Sequence, residues 1–300
     1  MKVTLSAGSR LHGGFHTISA GRWGALGFYV DSPRAVVEAE RCEELSLRGF
    51  RELEEQVRRA LSDLGLSAAC LELKEAIPRH MGLGSTTQTL LLAALAAARV
   101  WGKAFDPLEA ARRLGRGKIS GVGSLLFSMG GFVMDAGNPD PRGPRYIARL
   151  PLPEDWRFVI IIPQLQRGLS EAEEEFLKLQ WPADERAHLL MSRGALRLAS
   201  GIARGELEEA LEGLREVQLG TGMYFARVQG GAFRKDLQLL VAEMQKDGLV
   251  VAQSSWGPTL YTITEESSAA GDASMIRHLM REMGMRGEVL ISRPRNYGAF

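Results

Sequence analysis

Apolar and polar positions alternate differently in the two halves of the chain. In the first half, short apolar or β-branched runs between Gly and Pro punctuation predict strands over Val3–Ala7, Ala25–Val30 and Ala35–Ala39. Leu53, Val57, Ala60, Leu61 and Leu64 recur at helical spacing, which predicts an amphipathic helix over Glu52–Leu64. A strand over Leu71–Ala76 follows, then a glycine-rich turn. Ser85–Val100 is apolar on nearly every side, which predicts a buried helix. Pro107–Leu114 reads as a further helix and Gly131–Asp135 as a strand.

Gly137–Pro153 holds five prolines and reads as the junction between two domains, residues 1–150 and 151–300. Beyond it, Arg157–Ile162 is an apolar β-branched strand. Helical patterns run over Ala187–Ala203, Leu207–Gly220 and Leu237–Lys246. Strands over Leu249–Gln253 and Thr259–Thr264, a helix over Ala273–Met283 and a strand over Glu288–Ser292 complete the order. The fold class predicted is α+β, with helices layered on one face of a sheet.

The 300 residues carry a net charge of +1, which argues against bulk coating of nucleic acid. Hydrophobic residues at 45% and charged residues at 24% exclude a disordered chain. The longest mainly apolar run, Leu90–Trp101, contains Arg99 and falls short of the roughly 20 residues that span a bilayer. The start, MKVTLSAGSR, has the pattern of no signal peptide, so a soluble cytoplasmic protein is expected, with no membrane partner. Cys42 and Cys70 form no metal-ligand pattern and are expected as two reduced, partly buried thiols; a disulfide between them fits only a hyperthermophile source. The cations divide into 30 Arg and 7 Lys. Most arginines lie on predicted helix surfaces, but Arg10, Arg22, Arg79 and Arg116 fall in or beside glycine-rich turns.

The most informative segment is Ile77-Pro78-Arg79-His80-Met81-Gly82-Leu83-Gly84-Ser85-Thr86-Thr87-Gln88, between a predicted strand and the buried helix. Gly82 and Gly84 let the backbone turn tightly and approach a ligand. Free N–H groups and the dipole at the helix start favour phosphate, and the three hydroxyls add donors. Simple capping needs less than this. The segment is neither a Walker loop nor a Rossmann fingerprint, because no Gly-Lys-Ser/Thr follows and Thr87 takes the third glycine position.

Pro78-x-x-x-Gly82-Leu83-Gly84-Ser85-Thr86 resembles the phosphate loop of the GHMP kinase superfamily. Ser6–His12 and Val251–Thr259 stand where that superfamily has its other motifs. Within it, the likeness is to the β-ribofuranosylaminobenzene 5'-phosphate synthases of methanopterin synthesis, carried by Ser9-Arg10-Leu11-His12, Gly115–Gly123, Gly130-Gly131-Phe132 and Gln253–Thr259. The resemblance implies a two-domain fold: an N-terminal mixed β/α domain carrying the phosphate loop and a C-terminal ferredoxin-like layered domain. It also implies an enzyme in which 5-phosphoribosyl 1-diphosphate reacts with 4-aminobenzoate or 4-hydroxybenzoate. Mg²⁺ on the substrate diphosphate and a homodimer are implied too.

Many GHMP kinases resemble one another at Ser-Gly-x-Asp, where Asp helps activate the substrate hydroxyl. Here the segment is Ser120-Gly121-Val122-Gly123, and Gly123 offers no carboxylate. The nearest following one is Asp135. For the synthase chemistry, Arg10 is expected to bind a carboxylate or phosphate, and His12 to donate a hydrogen bond. Lys118 and Arg116 neutralise diphosphate. His16, beyond the matched stretch, is a weaker candidate. Ser9, Arg22, Gly82, Leu83, Gly84, Ser85, Thr86, Thr87, Ser120, Gly121, Gln253, Ser254, Ser255, Trp256 and Gly257 complete the expected substrate contacts. For Lys118 the alternative is an exposed loop cation; for Trp256 it is a core anchor rather than a ring partner. The runner-up function is an ATP-dependent small-molecule kinase, which Gly123 opposes. The third is a non-catalytic ligand sensor, which the intact loop opposes. The residues define no protein ligands for a metal.

Overall fold

The computed structural model describes residues 2–19, 22–137, 142–165 and 184–300. Pro139 and Pro141 of the proline-rich stretch lie outside the described residues. The N-terminal sheet is built on a long hairpin, β1 (Lys2–Ser19) and β2 (Arg22–Glu40), in place of three short strands. The glycines in it do not end the strands. They form bulges, with register shifts between Ala7 and Ser9 and between His12 and Gly14. Gly8 shows why glycine is needed there, since a Cβ would stand 2.2 Å from the Val30 carbonyl oxygen.

One half of β2 pairs with β4 (Cys70–Glu75), which carries the short parallel β3 (Ser46–Arg48). The other half pairs with β5 (Phe132–Asp135) and through it with β6 (Tyr146–Leu150), a strand hidden in the proline-rich stretch. Helices α1 (Glu54–Asp63), α2 (Ser85–Val100), α3 (Pro107–Arg113) and α4 (Val122–Met129) accompany this sheet. Thirteen of the sixteen residues of α2 are buried, and its alanines let β1, β2 and the other helices approach closely.

The second sheet has strand order β10-β7-β9-β8, all antiparallel, from β7 (Trp156–Pro163), β8 (Ala252–Gln253), β9 (Leu260–Glu265) and β10 (Gly287–Ser292). Between β7 and β8 run α5 (Glu185–Arg204), α6 (Leu207–Gln229) and α7 (Gln238–Lys246); α8 (Glu266–Glu282) joins β9 to β10. This is the ferredoxin-like β-α-β-β-α-β plan, with three helices among the described residues of the first crossover. Every residue of β7 is buried because both of its faces are covered. Phe158, Ile160 and Ile162 join the core shared with the N-terminal sheet, while Val159 and Ile161 pack under α7 and α8. The two sheets thus divide near residue 150, but one hydrophobic core joins them.

Helices α5 and α6 pack backbone to backbone. A Cβ on Gly201 would meet Ala210 N at 2.4 Å, and one on Gly213 would meet Leu198 N at 2.3 Å. The C-terminal tail returns to the first sheet. There Arg295 is buried, donating to Asp31 Oδ1 at 3.1 Å and to Ser6 O at 3.0 Å. Cys42 and Cys70 are joined as a disulfide with Cα atoms 5.5 Å apart, which corrects the expectation of free thiols. Pairing of Glu40 with Cys70 in the sheet register places the two cysteines within bridging reach.

Candidate active site

The loop between β4 and α2 ends on Gly84, which is the N-cap of α2 in the left-handed conformation (φ 72°). Gly84 O accepts the first helical bond from Gln88 N at 3.1 Å, and no side chain caps the helix. The amides of Ser85, Thr86 and Thr87 are therefore available to an anion. Gly82, at φ 88°, leaves no room for a side chain: a Cβ would stand 2.1 Å from Ser254 O. Gly257 is equally constrained, its Cβ position falling 2.3 Å from Gly82 N.

Strand β1 and the segment after β8 close on this loop from both sides. Arg10 lies inside β1 rather than in a turn after it. Its amide donates to Leu83 O at 3.0 Å and its Nη1 to Gly82 O at 3.3 Å. Ser254 Oγ accepts from the His12 amide at 2.9 Å and donates to Gly82 O at 2.6 Å. Thr259 N donates to Met81 O at 3.3 Å. Three sequence motifs expected at one site thus meet through backbone contacts. Arg116 joins them, its Nε donating to Thr87 Oγ1 at 3.1 Å.

The second glycine-rich segment supplies the start of α4, a helix the sequence pattern conceals between Gly121 and Gly130. Ser120 Oγ accepts from Val122 N at 3.4 Å, and Gln88 Nε2 donates to Gly123 O at 2.8 Å. A Cβ at Gly123 would lie 3.7 Å from the Thr87 side chain, so this position does face the phosphate loop. Asp135 does not replace the missing acid. Its buried carboxylate accepts from the amides of Ala25 (2.9 Å), Gly121 (2.8 Å) and Gly137 (3.0 Å). Burial raises its pKa, and the three amides oppose that shift. Asp135 is a clamp on the start of α4.

Other expected residues fall elsewhere. Ser9 Oγ donates to Pro33 O at 2.6 Å and is fully buried, so it braces the hairpin instead of meeting substrate. Arg22 sits at the hairpin tip, paired with Ser19, seven residues along β2 from the Tyr29 that faces Arg10. That spacing is about 23 Å of strand, which separates Arg22 from the loop. Arg79 is engaged by Glu52 at 2.8 Å. Lys118 is exposed on the loop before α4. His16 donates to the Asp135 carbonyl at 2.9 Å, a structural role.

Beside the loop lies a narrow cleft lined by Phe15, Phe225 and Trp256, whose rings pack on one another, with Phe15 and Phe225 centroids 5.5 Å apart. Trp256 meets Phe225 edge-on at 5.2 Å within a buried cluster, as a core anchor does, and also lines the cleft. Gln253 is a brace. Its amide nitrogen donates to Ser255 O at 2.9 Å and its oxygen accepts from Arg234 N at 2.9 Å. His12 reaches the cleft with Nδ1 accepting from Gly14 N at 3.1 Å, which leaves the proton on Nε2. Burial, with Arg10 nearby, holds His12 well below the usual imidazole range, so it is neutral. Sequence reasoning missed Gln88, Gln218, Thr221 and Phe225. Only Gln88 carries a local signal, as a polar residue within an apolar helix.

Residues 48–131 match the GHMP kinases N terminal domain. Over its full length the chain is 28% identical to the beta-ribofuranosylphenol 5'-phosphate synthase of Methanothermobacter thermautotrophicus, covering 98% of that protein. It is 26% identical to the protein of the same name from Archaeoglobus fulgidus, with 92% of this chain and 90% of that one covered. Among solved structures, homoserine kinase from Cytophaga hutchinsonii superposes with a TM-score of 0.73 at 15% identity, covering 100% of this chain and 96% of the kinase. Over residues 48–131 the chain is thus similar to the GHMP kinase N-terminal domain, and over its whole length it shares the fold of homoserine kinase.

Proposed function

We propose that the protein is a synthase joining 5-phosphoribosyl 1-diphosphate to 4-hydroxybenzoate or 4-aminobenzoate with release of diphosphate and CO₂. One observation carries the reading: Ser254 ties the anion-binding start of α2 to the wall of an aromatic-lined cleft, so a phosphate and a ring can be held side by side. The names of the full-length relatives support it.

In the reaction, the ribosyl C1–O bond breaks with its electron pair leaving on diphosphate. The ring carbon bearing the carboxylate bonds to C1, and the carboxylate departs as CO₂, returning its electron pair to the ring. No protein nucleophile is required; holding the partners and stabilising the departing anion supply the acceleration. The amides of Ser85–Thr87 hold phosphate oxygens, and Arg116 and Arg10 set positive charge beside them. The hydroxyls and amides of the loop fit a divalent cation carried by the diphosphate rather than one caged by the protein. When bound, Mg²⁺ would offset diphosphate charge.

Kinase chemistry is disfavoured by Gly123, where a substrate hydroxyl would need a base, and by the commitment of Asp135 to three amides. Incubation with phosphoribosyl diphosphate and either benzoate should release CO₂ and diphosphate together. ADP formed from ATP and an alcohol, with no CO₂ from the benzoates, would overturn the proposal in favour of a kinase.

A further inference from the structure

Gln88 is fully buried near the start of α2, a helix otherwise filled with leucine and alanine. A buried amide must find partners on both of its ends. Gln88 Oε1 accepts from the Tyr29 hydroxyl at 3.0 Å, and Nε2 donates to Gly123 O at 2.8 Å. The direction of each bond is fixed by backbone groups at the two ends of the chain of contacts. The Gly8 amide can only donate, and it donates to Tyr29 Oη at 2.8 Å, so the one hydroxyl hydrogen goes on to Gln88. The Gly123 carbonyl can only accept. Gln88 thus joins β1, β2, α2 and α4 through one continuous run of hydrogen bonds.

The preceding residue makes a second tie across the same gap. Thr87 Oγ1 accepts from Arg116 Nε at 3.1 Å, so consecutive residues of α2 hold both ends of the segment 116–123. The two ties differ in kind. The Thr87 bond uses a cation that the proposed reaction turns toward phosphate. The Gln88 bond is neutral and lies away from the substrate, so it persists while Arg116 engages an anion. From the other side, Asp135 holds Gly121 N at 2.8 Å. The start of α4 is therefore fixed from β5 and from α2 at once.

We propose that Gln88 is a positioning residue: it sets the span between the amides of Ser85–Thr87 and the segment from Arg116 to Ser120, so that both phosphoryl groups of one diphosphate are held together. The inference rests on the synthase reading for diphosphate as the leaving group. It goes beyond that reading by naming what fixes the spacing and by requiring the site to tell diphosphate from phosphate. A single phosphate needs only the amides of α2. A diphosphate has two groups at a set separation, so slack in the 116–123 segment loses the second set of contacts and spares the first.

Calorimetric titration with inorganic diphosphate and with inorganic phosphate tests this without turnover. The wild type should bind diphosphate at least about tenfold more tightly. Gln88→Met, which keeps the bulk and removes the amide, should bring the two affinities to within about threefold by weakening diphosphate alone. KM for phosphoribosyl diphosphate should rise with that change while KM for the benzoate stays. Gln88→Glu supplies a rescue. Its protonated acid can accept from Tyr29 and donate to Gly123 O as the amide does, whereas the carboxylate sets oxygen against oxygen. Its diphosphate preference, taken relative to wild type at each pH, should be retained in acid and fall as pH rises. The charged and titratable neighbours (Tyr29, Asp135, Arg116 and the Arg295–Asp31 pair) are common to both proteins, so the comparison isolates position 88. A folded Gln88→Met that keeps the wild-type preference, or that loses phosphate as much as diphosphate, would overturn the inference. So would a wild type with no preference, or, if Gln88→Met does not fold, a Gln88→Glu preference that ignores pH. The expected preference in a protein that releases no CO₂ from either benzoate would sink the synthase reading and leave the role of Gln88 standing.

Discussion

Replacing Gly82 by alanine tests the central geometric claim, that the phosphate loop and the 253–257 segment are held together at backbone contact. The added Cβ would stand 2.1 Å from Ser254 O and 3.2 Å from Gly257 Cα, where real Cβ atoms come no closer than 3.0 Å. Both neighbours are backbone, so no side chain can swing aside and the loops must part by about 1 Å. Gly82 O, which accepts from Ser254 Oγ and from Arg10 Nη1, moves with them. A displacement of about 1 Å near the chemistry costs on the order of 10²-fold in rate, so kcat/KM for phosphoribosyl diphosphate should fall by about that factor. Stability should drop as well, by about 1–2 kcal/mol for a left-handed alanine and about 1–3 kcal/mol for the overpacking. Gly102→Ala is the control: it shares the positive φ (64°) but has nothing within 4 Å of its Cβ. It should show only the first stability loss and wild-type kinetics. Steady-state kinetics with a thermal melt decides the matter. If Gly82→Ala behaved like Gly102→Ala in both, the claimed contact would be wrong.

Three further outcomes are expected. The Cys42–Cys70 disulfide closes a separation of 28 residues around α1, which by chain entropy stabilises the protein by about 3.5 kcal/mol. A reductant should lower the urea midpoint of the wild type but not of the Cys42→Ala/Cys70→Ala variant; identical midpoints with and without reductant would refute the link. His12 is neutral in the folded protein because burial and Arg10 hold its pKa down, whereas in the unfolded chain it takes a proton below about pH 6.5. The unfolded state then binds more protons, so stability should fall as pH drops below that value. His12→Gln should flatten part of this slope, and a slope unchanged between the two proteins would contradict it. Finally, Asp135→Asn should cost about 1–3 kcal/mol, because an amide group must face at least one of the three N–H donors its carboxylate now serves. It should also raise KM for phosphoribosyl diphosphate more than it lowers kcat; a normal melting temperature would show that the clamp is dispensable.

What the sequence disclosed and what it hid follow from the range of the forces involved. The start of α2 at Ser85 was legible to the residue because Gly-x-Gly followed by hydroxyls is a local signal. The β7 run was legible because a central strand covered on both faces must be apolar throughout. The hairpin was not. Gly8, Gly13, Gly14, Gly24 and Gly27 look like strand breakers, yet they are bulges and close approaches whose reason lies on other segments. Gly14, for example, faces Val217 and Thr221 of α6, more than 200 residues away in sequence. Helix α6 runs past its expected end at Gly220 because that glycine is a packing site, its Cβ position 2.7 Å from the Ala187 carbonyl oxygen, and not a stop. The phosphate loop could be read from one segment. The cleft could not, since its walls come from β1, α6 and the 253–256 segment.

Under the proposed function, the division of labour at the site suggests how a kinase fold can host a different reaction. The part proposed to bind an anion is made almost wholly of backbone: uncapped amides of α2, on a loop that the Gly82 and Leu83 carbonyls tie to Ser254 and Arg10 and whose Gly82 tolerates no side chain. Such a part holds phosphate whatever reaction follows, and side-chain substitution elsewhere leaves it intact. Reaction identity then resides in few side chains. At Gly123 the position facing Thr87 holds no side chain, so under the proposed function it would place no carboxylate against a departing diphosphate. In the neighbouring cleft, charge is absent from the described lining and aromatic rings take its place. A phosphoryl transfer to an alcohol needs a base at the first position and a polar pocket at the second. Carbon–carbon bond formation at an electron-rich ring needs neither, but it does need a flat, neutral slot that keeps the ring against the sugar. The buried carboxylate of Asp135 is spent on three backbone amides, which makes it responsible for where Gly121, at the start of α4, stands.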